Sequence, residues 1–426
     1  MITTYTKEEF INLPKEKTAF NSKQINTVKQ IINDVQLRQD DALREYTLLF
    51  DKVDIENFKI SQDQIDVAYQ TCDPLLRQDL EIAFQNILSY HEQQRQKGYQ
   101  ISLDDDSYIG QLIRPIERVG IYVPGGTAAY PSTVLMNAAP AIIAGVKEIA
   151  MISPPTTNKT IAPIILVAAK IAGINEIYQI GGAQGIAALA YGTPSIPKVN
   201  KIVGPGNIYV ALAKREVYGT VGIDMIAGPS EIMIYADESS NPRFIAADLL
   251  SQAEHDILAR PLLVTTSPII IPLVQEELSK QLAQLSRQQI AIQSLRDYGA
   301  IILVDNEAEA IEMINRVAPE HLELLQQNPE KSIPQIQNAG AIFVGPYSPE
   351  PLGDYMAGPN HTLPTSGTAT FSSALSVGDF ITKTSVISYS KARLYQAKDR
   401  IVRIATKEGL TAHANAISVR YTNENE

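Results

Sequence analysis

Val119-Gly120-Ile121-Tyr122-Val123, followed at once by Pro124-Gly125-Gly126-Thr127, is a short apolar run closed by a glycine turn. A run of this length, rich in β-branched and aromatic residues, reads as a buried strand. The pattern recurs at Glu148-Ile149-Ala150-Met151-Ile152, Ile177-Tyr178-Gln179-Ile180 and Lys201-Ile202-Val203, with alanine-rich helical stretches between. Strands alternating with helices imply βαβ units and a mostly parallel sheet. A second set follows: Ile232-Met233-Ile234-Tyr235, Leu262-Leu263-Val264, Ala300-Ile301-Ile302-Leu303-Val304 and Gly340-Ala341-Ile342-Phe343-Val344. The expected fold class is therefore α/β, with two Rossmann-like, mostly parallel-sheet domains.

Upstream of Val119 the period is helical. Ile25, Val28, Ile32 and Val35, then Leu43, Tyr46, Leu49 and Phe50, recur at helix spacing, as do Leu76, Leu80, Ala83, Phe84 and Ile87. The charged, Gln-rich stretch from Glu92 to Gln100 reads as a helix end and connector. After Phe371 the chain is Ser/Thr-rich and then helical, an extended tail expected to pack against something else.

A chain of 426 residues exceeds one ordinary core, so more than one domain is expected. Hydrophobic and charged fractions of 45% and 19% fit a soluble globular protein. A net charge of −11 argues against a nucleic-acid or anionic-membrane surface. The N-terminal Met1-Ile2-Thr3-Thr4-Tyr5-Thr6-Lys7 lacks the order of a signal peptide. No apolar run nears the roughly 18 residues that span a bilayer. The single Cys72 permits neither an intrachain disulfide nor a thiolate metal cluster, and the cytoplasm is the default location.

Three glycine-rich loops follow strands: Pro124-Gly125-Gly126-Thr127, Gly181-Gly182-Ala183-Gln184 and Gly204-Pro205-Gly206-Asn207. In open α/β sheets ligands bind beyond the carboxyl ends of the strands. None of the loops is the G-x-G-x-x-G fingerprint, and no Walker lysine motif is present. Each taken singly is equally a tight turn. Three together, each beside a polar residue (Tyr122, Gln184, Asn207), point to a nucleotide or phosphate site.

Four of the five histidines stand in short polar islands: Ser251-Gln252-Ala253-Glu254-His255, Pro319-Glu320-His321, Gly353-Asp354 with Asn360-His361, and Glu408 with His413. Asn241-Pro242 is a helix start, and a helix from Phe244 to about His255 places Gln252 and His255 on one face. Pro319-Glu320-His321 ahead of Leu322, Leu324 and Leu325 is expected to open a helix, where Glu also suits the N-terminal dipole. Each island alone is as well read as a cap, a surface loop or a packed side chain. Together they supply the nitrogen and oxygen donors of a metal site with an acid/base beside it. The fifth histidine, His91, lies on an amphipathic helix and is expected to be structural.

In order, these motifs resemble the histidinol dehydrogenase family over nearly the whole chain, with Gly228-Pro229-Ser230-Glu231, Asn360-His361-Thr362-Leu363-Pro364-Thr365 and Glu408-Gly409-Leu410 added to those above. The resemblance implies zinc- and NAD-dependent oxidation of L-histidinol to L-histidine through L-histidinaldehyde, with two NAD+. It implies zinc ligands Gln252, His255, Asp354 and His413, and a catalytic pair Glu320 and His321. It implies substrate contacts at Ser230, His361 and Glu408, shared with His321 and the metal ligands, and NAD contacts at Tyr122, Gln184 and Asn207. A homodimer with His413 supplied across the interface is also implied. The domains it implies are an N-terminal segment 1–19, an α/β domain of 20–121 and 233–371, an inserted NAD-binding domain 122–232, and a tail 372–426.

Aldehyde oxidation by hydride transfer needs a tetrahedral adduct, either a cysteine thiohemiacetal or a hydrate. Cys72 lies far from every motif in the sequence, which favours the hydrate. His321 at an unperturbed pKa of about 6.5 would suit repeated proton transfer, and Glu320 would suit water activation if burial raises its pKa. The rivals are a related dehydrogenase acting on another amino or hydroxy alcohol, a zinc hydrolase using Glu320, and a non-catalytic nucleotide-binding protein.

Overall fold

The computed structural model describes residues 2–14, 21–125 and 129–421. In chain order the strands are β1 (Thr3–Thr6), β2 (Tyr99–Ser102), β3 (Tyr108–Pro115), β4 (Arg118–Tyr122), β5 (Glu148–Ser153), β6 (Glu176–Gln179), β7 (Lys201–Val203), β8 (Gly222–Ile223), β9 (Glu231–Ala236), β10 (Arg260–Thr265), β11 (Ala300–Leu303), β12 (His321–Leu324), β13 (Ala341–Val344) and β14 (Ile381–Ser388). Two parallel sheets carry the fold. One has the order β6-β5-β4-β7-β8, the other β1-β11-β10-β9-β12-β13.

The first sheet starts at its centre with β4, adds β5 and β6 on one side, then crosses to β7 and β8 on the other. That reversal opens a crevice at the carboxyl ends of β4 and β7. Apolar cores fill both faces. Ile152, Ile186, Leu189, Ile202 and Leu212 pack on one side together with Val28, Ile32, Val35 and Leu43 from the N-terminal helices. Val119, Ile121, Met151 and Val203 pack on the other with Ile65, Phe84 and Ile87. The helices within 22–92 therefore share their cores with this sheet.

In the second sheet β9 lies between β10 and β12, with Leu262↔Met233 and Leu322↔Met233 in register. Ile232, Ile234 and Leu263 face one core, and Met233, Val264, Leu322 and Leu324 the other. The all-polar β1, Thr3-Thr4-Tyr5-Thr6, forms an edge by pairing with β11.

The Glu320-His321 island does not open a helix. The helix Glu307–Val317 ends in the left-handed residue Ala318 (φ 50°), and the chain then enters strand β12. Leu322 and Leu324 alternate with Glu323 as a strand buried on both faces. Three leucines in four residues are too few to fix a period, and a buried strand and a buried helix turn then look alike. The helix after Asn241 forms as expected, over Pro242–Ala253, with the Asn241 side chain accepting from Arg243 N. It stops two residues short of His255.

Contacts divide the chain into two units, 1–95 with 116–380, and 96–115 with 381–426, which differs from the sequence-based boundaries. The second unit is an antiparallel sheet of order β14-β3-β2 with the helices Lys391–Lys407 and Thr411–Ser418. Among the described residues no helix is long and apolar enough to cross a membrane.

Candidate functional site

Strands β9 and β12 begin side by side, and the residues at their starts make a compact hydrogen-bonded knot. Glu320 Oε2 accepts from Glu231 N at 2.8 Å, and His321 Nδ1 meets Glu231 O at 2.8 Å. The two side chains thus grip one residue of the neighbouring strand, with 3.7 Å between Oε2 and Nδ1. A carbonyl oxygen only accepts, so Nδ1 carries the proton and Nε2 is left as a lone-pair base. That Nε2 lies 3.9 Å from Glu350 Oε1.

Glu320 and His321 are 6% and 4% exposed, and burial sets both their pKa values. It lifts Glu320 well above the usual carboxyl range and lowers His321 to about 4. The unperturbed value expected of His321 is thus displaced downward, because its ring is desolvated. The imidazole is neutral at physiological pH, with its Nε2 lone pair unprotonated.

Beyond His321 lies the short helix Glu350–Tyr355. Asp354 sits one turn after Glu350, and its Oδ1 is 3.3 Å from His361 Nδ1. Burial works to raise Asp354, but His361, His321 and His255 outweigh it and hold its carboxyl down. Burial, then the charge of Asp354, pushes Glu350 up, so this pair keeps its proton on Glu350. Behind them burial raises Glu323, further lifted by Asp248, and Glu323 Oε1 accepts from Glu350 N at 2.8 Å. His321, Glu350 and Asp354 each offer one donor atom within 4.8 Å of the others.

The loop carrying His361 is anchored at both ends. Asn360 Nδ2 donates to Met136 O at 2.6 Å and lies 3.2 Å from His91 Nε2. His91 Nδ1 meets Gln94 Oε1 at 2.8 Å, and burial lowers its pKa, so this neutral imidazole is structural, as expected. Downstream, Thr365 Oγ1 accepts from Gly228 N at 2.6 Å and Ser366 N donates to Glu231 Oε2 at 3.2 Å. The Gly228–Glu231 and His361–Thr365 motifs are thereby tied together.

Gln252 is fully buried, yet neither of its amide atoms has a partner among the described residues. His255 is exposed by area, although enough protein surrounds its ring for desolvation to lower its pKa, with Asp354 and His361 among the groups acting on it. Ser230 is half-buried, and its carbonyl accepts from Arg260 N at 2.9 Å. Glu408 and His413 belong to the second unit: Glu408 ends the helix Lys391–Lys407 and His413 lies on Thr411–Ser418, both exposed.

At the first sheet, Tyr122 ends β4 and its hydroxyl accepts from Gly182 N at 3.3 Å. Burial raises its pKa to about 12. Gln184 is 1% exposed, and neither of its amide atoms has a partner among the described residues. The exposed Asn207 caps the helix Ile208–Val217, accepting from Tyr209 N at 3.0 Å and Val210 N at 3.2 Å. Gly126 and Thr127 of the first glycine loop lie outside the described residues. Packing also explains some of the glycines. A Cβ on Gly181 would come 2.3 Å from Pro154 Cγ, and one on Gly204 2.1 Å from Tyr122 O.

Sequence reading missed Glu231 and Glu323 as contacts of the site residues, and Glu350 altogether. Glu231 stood inside a quoted motif. Glu350 carried one usable signal, its four-residue spacing from Asp354.

Two parallel α/β layers, one with a crevice at its strand reversal and one with a buried carboxylate–imidazole pair, make an α/β protein with a candidate acid/base centre. The family model described as histidinol dehydrogenase matches residues 14–421. The histidinol dehydrogenase of Listeria monocytogenes serovar 1/2a is 55% identical over 426 residues, covering 100% of both chains. That of Clostridium acetobutylicum is 54% identical over 412 residues, 97% of this chain and 96% of its own. A crystal structure of histidinol dehydrogenase from Elizabethkingia anophelis superposes with a TM-score of 0.93 at 38% identity, covering 100% of this chain and 99% of that one. The chain belongs to the histidinol dehydrogenase family.

Proposed function

We propose that this chain oxidises L-histidinol to L-histidine through L-histidinaldehyde, in histidine biosynthesis, with two NAD+ as hydride acceptors and one zinc ion per subunit. The observation that supports this best is the grip of Glu320 and His321 on Glu231, which leaves a neutral Nε2 free beside a raised carboxyl.

Bound NAD+ would supply the hydride acceptor for the alcohol carbon, and in this first oxidation His321 Nε2 takes the hydroxyl proton. Water then adds to the aldehyde as Glu320 removes its proton. A carboxylate with a raised pKa is the stronger base once ionised. A second NAD+ would accept the hydride of the hydrate, and His321 again takes the hydroxyl proton. The balance is one histidinol, two NAD+ and one water giving histidinate, two NADH and three protons. A thiohemiacetal is disfavoured because Cys72 packs against the core of the first sheet, on the helix end after Thr71.

For zinc, the donors are Gln252, His255 and Asp354, with His413 of the partner subunit completing the set in a homodimer. The fit rests on the orphaned amide of Gln252, the ionised Asp354 and the depressed His255, which is a nitrogen/oxygen donor set. The group His321, Glu350 and Asp354 is the less suitable holder, because His321 is committed at Nδ1 and needed as a base at Nε2. Bound zinc would supply positive charge that holds the substrate's amine and imidazole. The substrate contacts proposed are Ser230, His361 and Glu408. Hydrogen bonding to the imidazole discriminates more sharply than apolar fit. Tyr122, Gln184 and Asn207 take NAD at the β4/β7 crevice. The homodimer is supported by exposed apolar side chains in the second unit, Ile387 at 75%, Ile404 at 62% and Tyr395 at 61%.

The test is NADH formation with L-histidinol against an amino alcohol lacking the imidazole, before and after chelation. Turnover confined to histidinol, lost on chelation and restored by zinc, is expected. Equal turnover of both alcohols, or full activity in the metal-free protein, contradicts the proposal.

A further inference from the structure

Lys214 and Asp224 form an ion pair sealed inside the protein, with side chains 3% and 1% exposed. Desolvating two charges is costly, and a buried pair seldom stabilises more than apolar residues of the same volume. Both charges converge on the backbone of one residue, Gly204. Asp224 Oδ2 accepts from Gly204 N at 2.8 Å, and Lys214 Nζ donates to Gly204 O at 2.9 Å. Asp224 Oδ1 also accepts from Met225 N at 2.6 Å.

Gly204 needs such a clamp. Its φ of +109° is one that other residues rarely adopt, and a Cβ there would run into the Tyr122 carbonyl. A Cβ on Gly206 would lie 3.1 Å from Tyr122 Cε1 and 2.4 Å from Val210 Cγ1, so the loop runs tight between the tyrosine ring and the next helix. Asn207 follows directly and caps that helix, and Lys214 stands two turns along it. The pair therefore ties strand end, glycine loop and helix together at the carboxyl ends of β4 and β7.

We propose that Lys214 and Asp224 are positioning residues for the dinucleotide: by holding the N–H and the carbonyl of Gly204, they fix Asn207 and Tyr122 in the geometry that binds NAD. This rests on the reading that NAD occupies that crevice. Neither side chain touches the cofactor; they act through the loop.

The experiment measures the NADH dissociation constant by fluorescence, and KM for NAD and for histidinol, in Lys214→Met, Asp224→Asn, the double variant and Asn207→Ala. A lone buried charge destabilises either single variant. The neutral double variant has none and is expected to fold. A displaced loop should weaken NADH binding and raise KM for NAD by on the order of 10- to 100-fold, with KM for histidinol within about twofold. A folded double variant that binds NADH like the wild type, while Asn207→Ala binds weakly, overturns the positioning role alone. If Asn207→Ala also binds like the wild type, NAD does not use this loop and both readings fall.

Discussion

Replacing His321 by asparagine is expected to slow both oxidations, by on the order of 10²- to 10⁴-fold in kcat, the usual yield of a positioned proton-transfer group. The substitution is chosen for what it keeps. The asparagine amide can still donate to Glu231 O, as Nδ1 does now at 2.8 Å, and Glu320 keeps its bond to Glu231 N. What disappears is Nε2. Each oxidation sheds one hydroxyl proton, so each should suffer. Rates measured separately with histidinol and with histidinaldehyde check this, and near-normal turnover of either substrate would remove His321 from the base role in that step.

The second large effect is expected from Glu320→Gln. The glutamine oxygen can accept from Glu231 N as the carboxylate does, so the backbone grip persists while basicity is lost. Aldehyde oxidation should fall by on the order of 10²-fold or more, and alcohol oxidation far less, because only the second step consumes water. In a rapid-mixing experiment the variant should give one prompt NADH per site followed by a slow second phase. Equal slowing of the two phases would count against giving water activation to Glu320.

The strands around Val119–Val123 and Ile232–Tyr235 were legible because central parallel strands are apolar on both faces and bounded by turn residues. The start of the helix at Asn241-Pro242 and the structural role of His91 were legible for local reasons, a cap and an amphipathic face. The strand β12 was not, because its short run carries no period. The edge strand β1 was hidden by its polar composition, and β2, β3 and β14 form a small exposed sheet whose pairing joins residues far apart in sequence.

For the site, single motifs gave residue types but not partners. The contact of Glu320 and His321 with Glu231 spans about ninety positions of chain, and only sheet pairing creates it. The descent of the His321 pKa to about 4 is likewise a product of burial, which depends on the folded surroundings. Glu350 escaped notice because it stands between Pro349 and Pro351, away from any histidine in sequence.

The most direct test of the central claim is the NADH formed per molecule of L-histidinol at full conversion by the zinc-loaded protein. A four-electron oxidation completed at one site predicts two NADH per substrate, with histidine as the product. One NADH per substrate, with the aldehyde released, would contradict it.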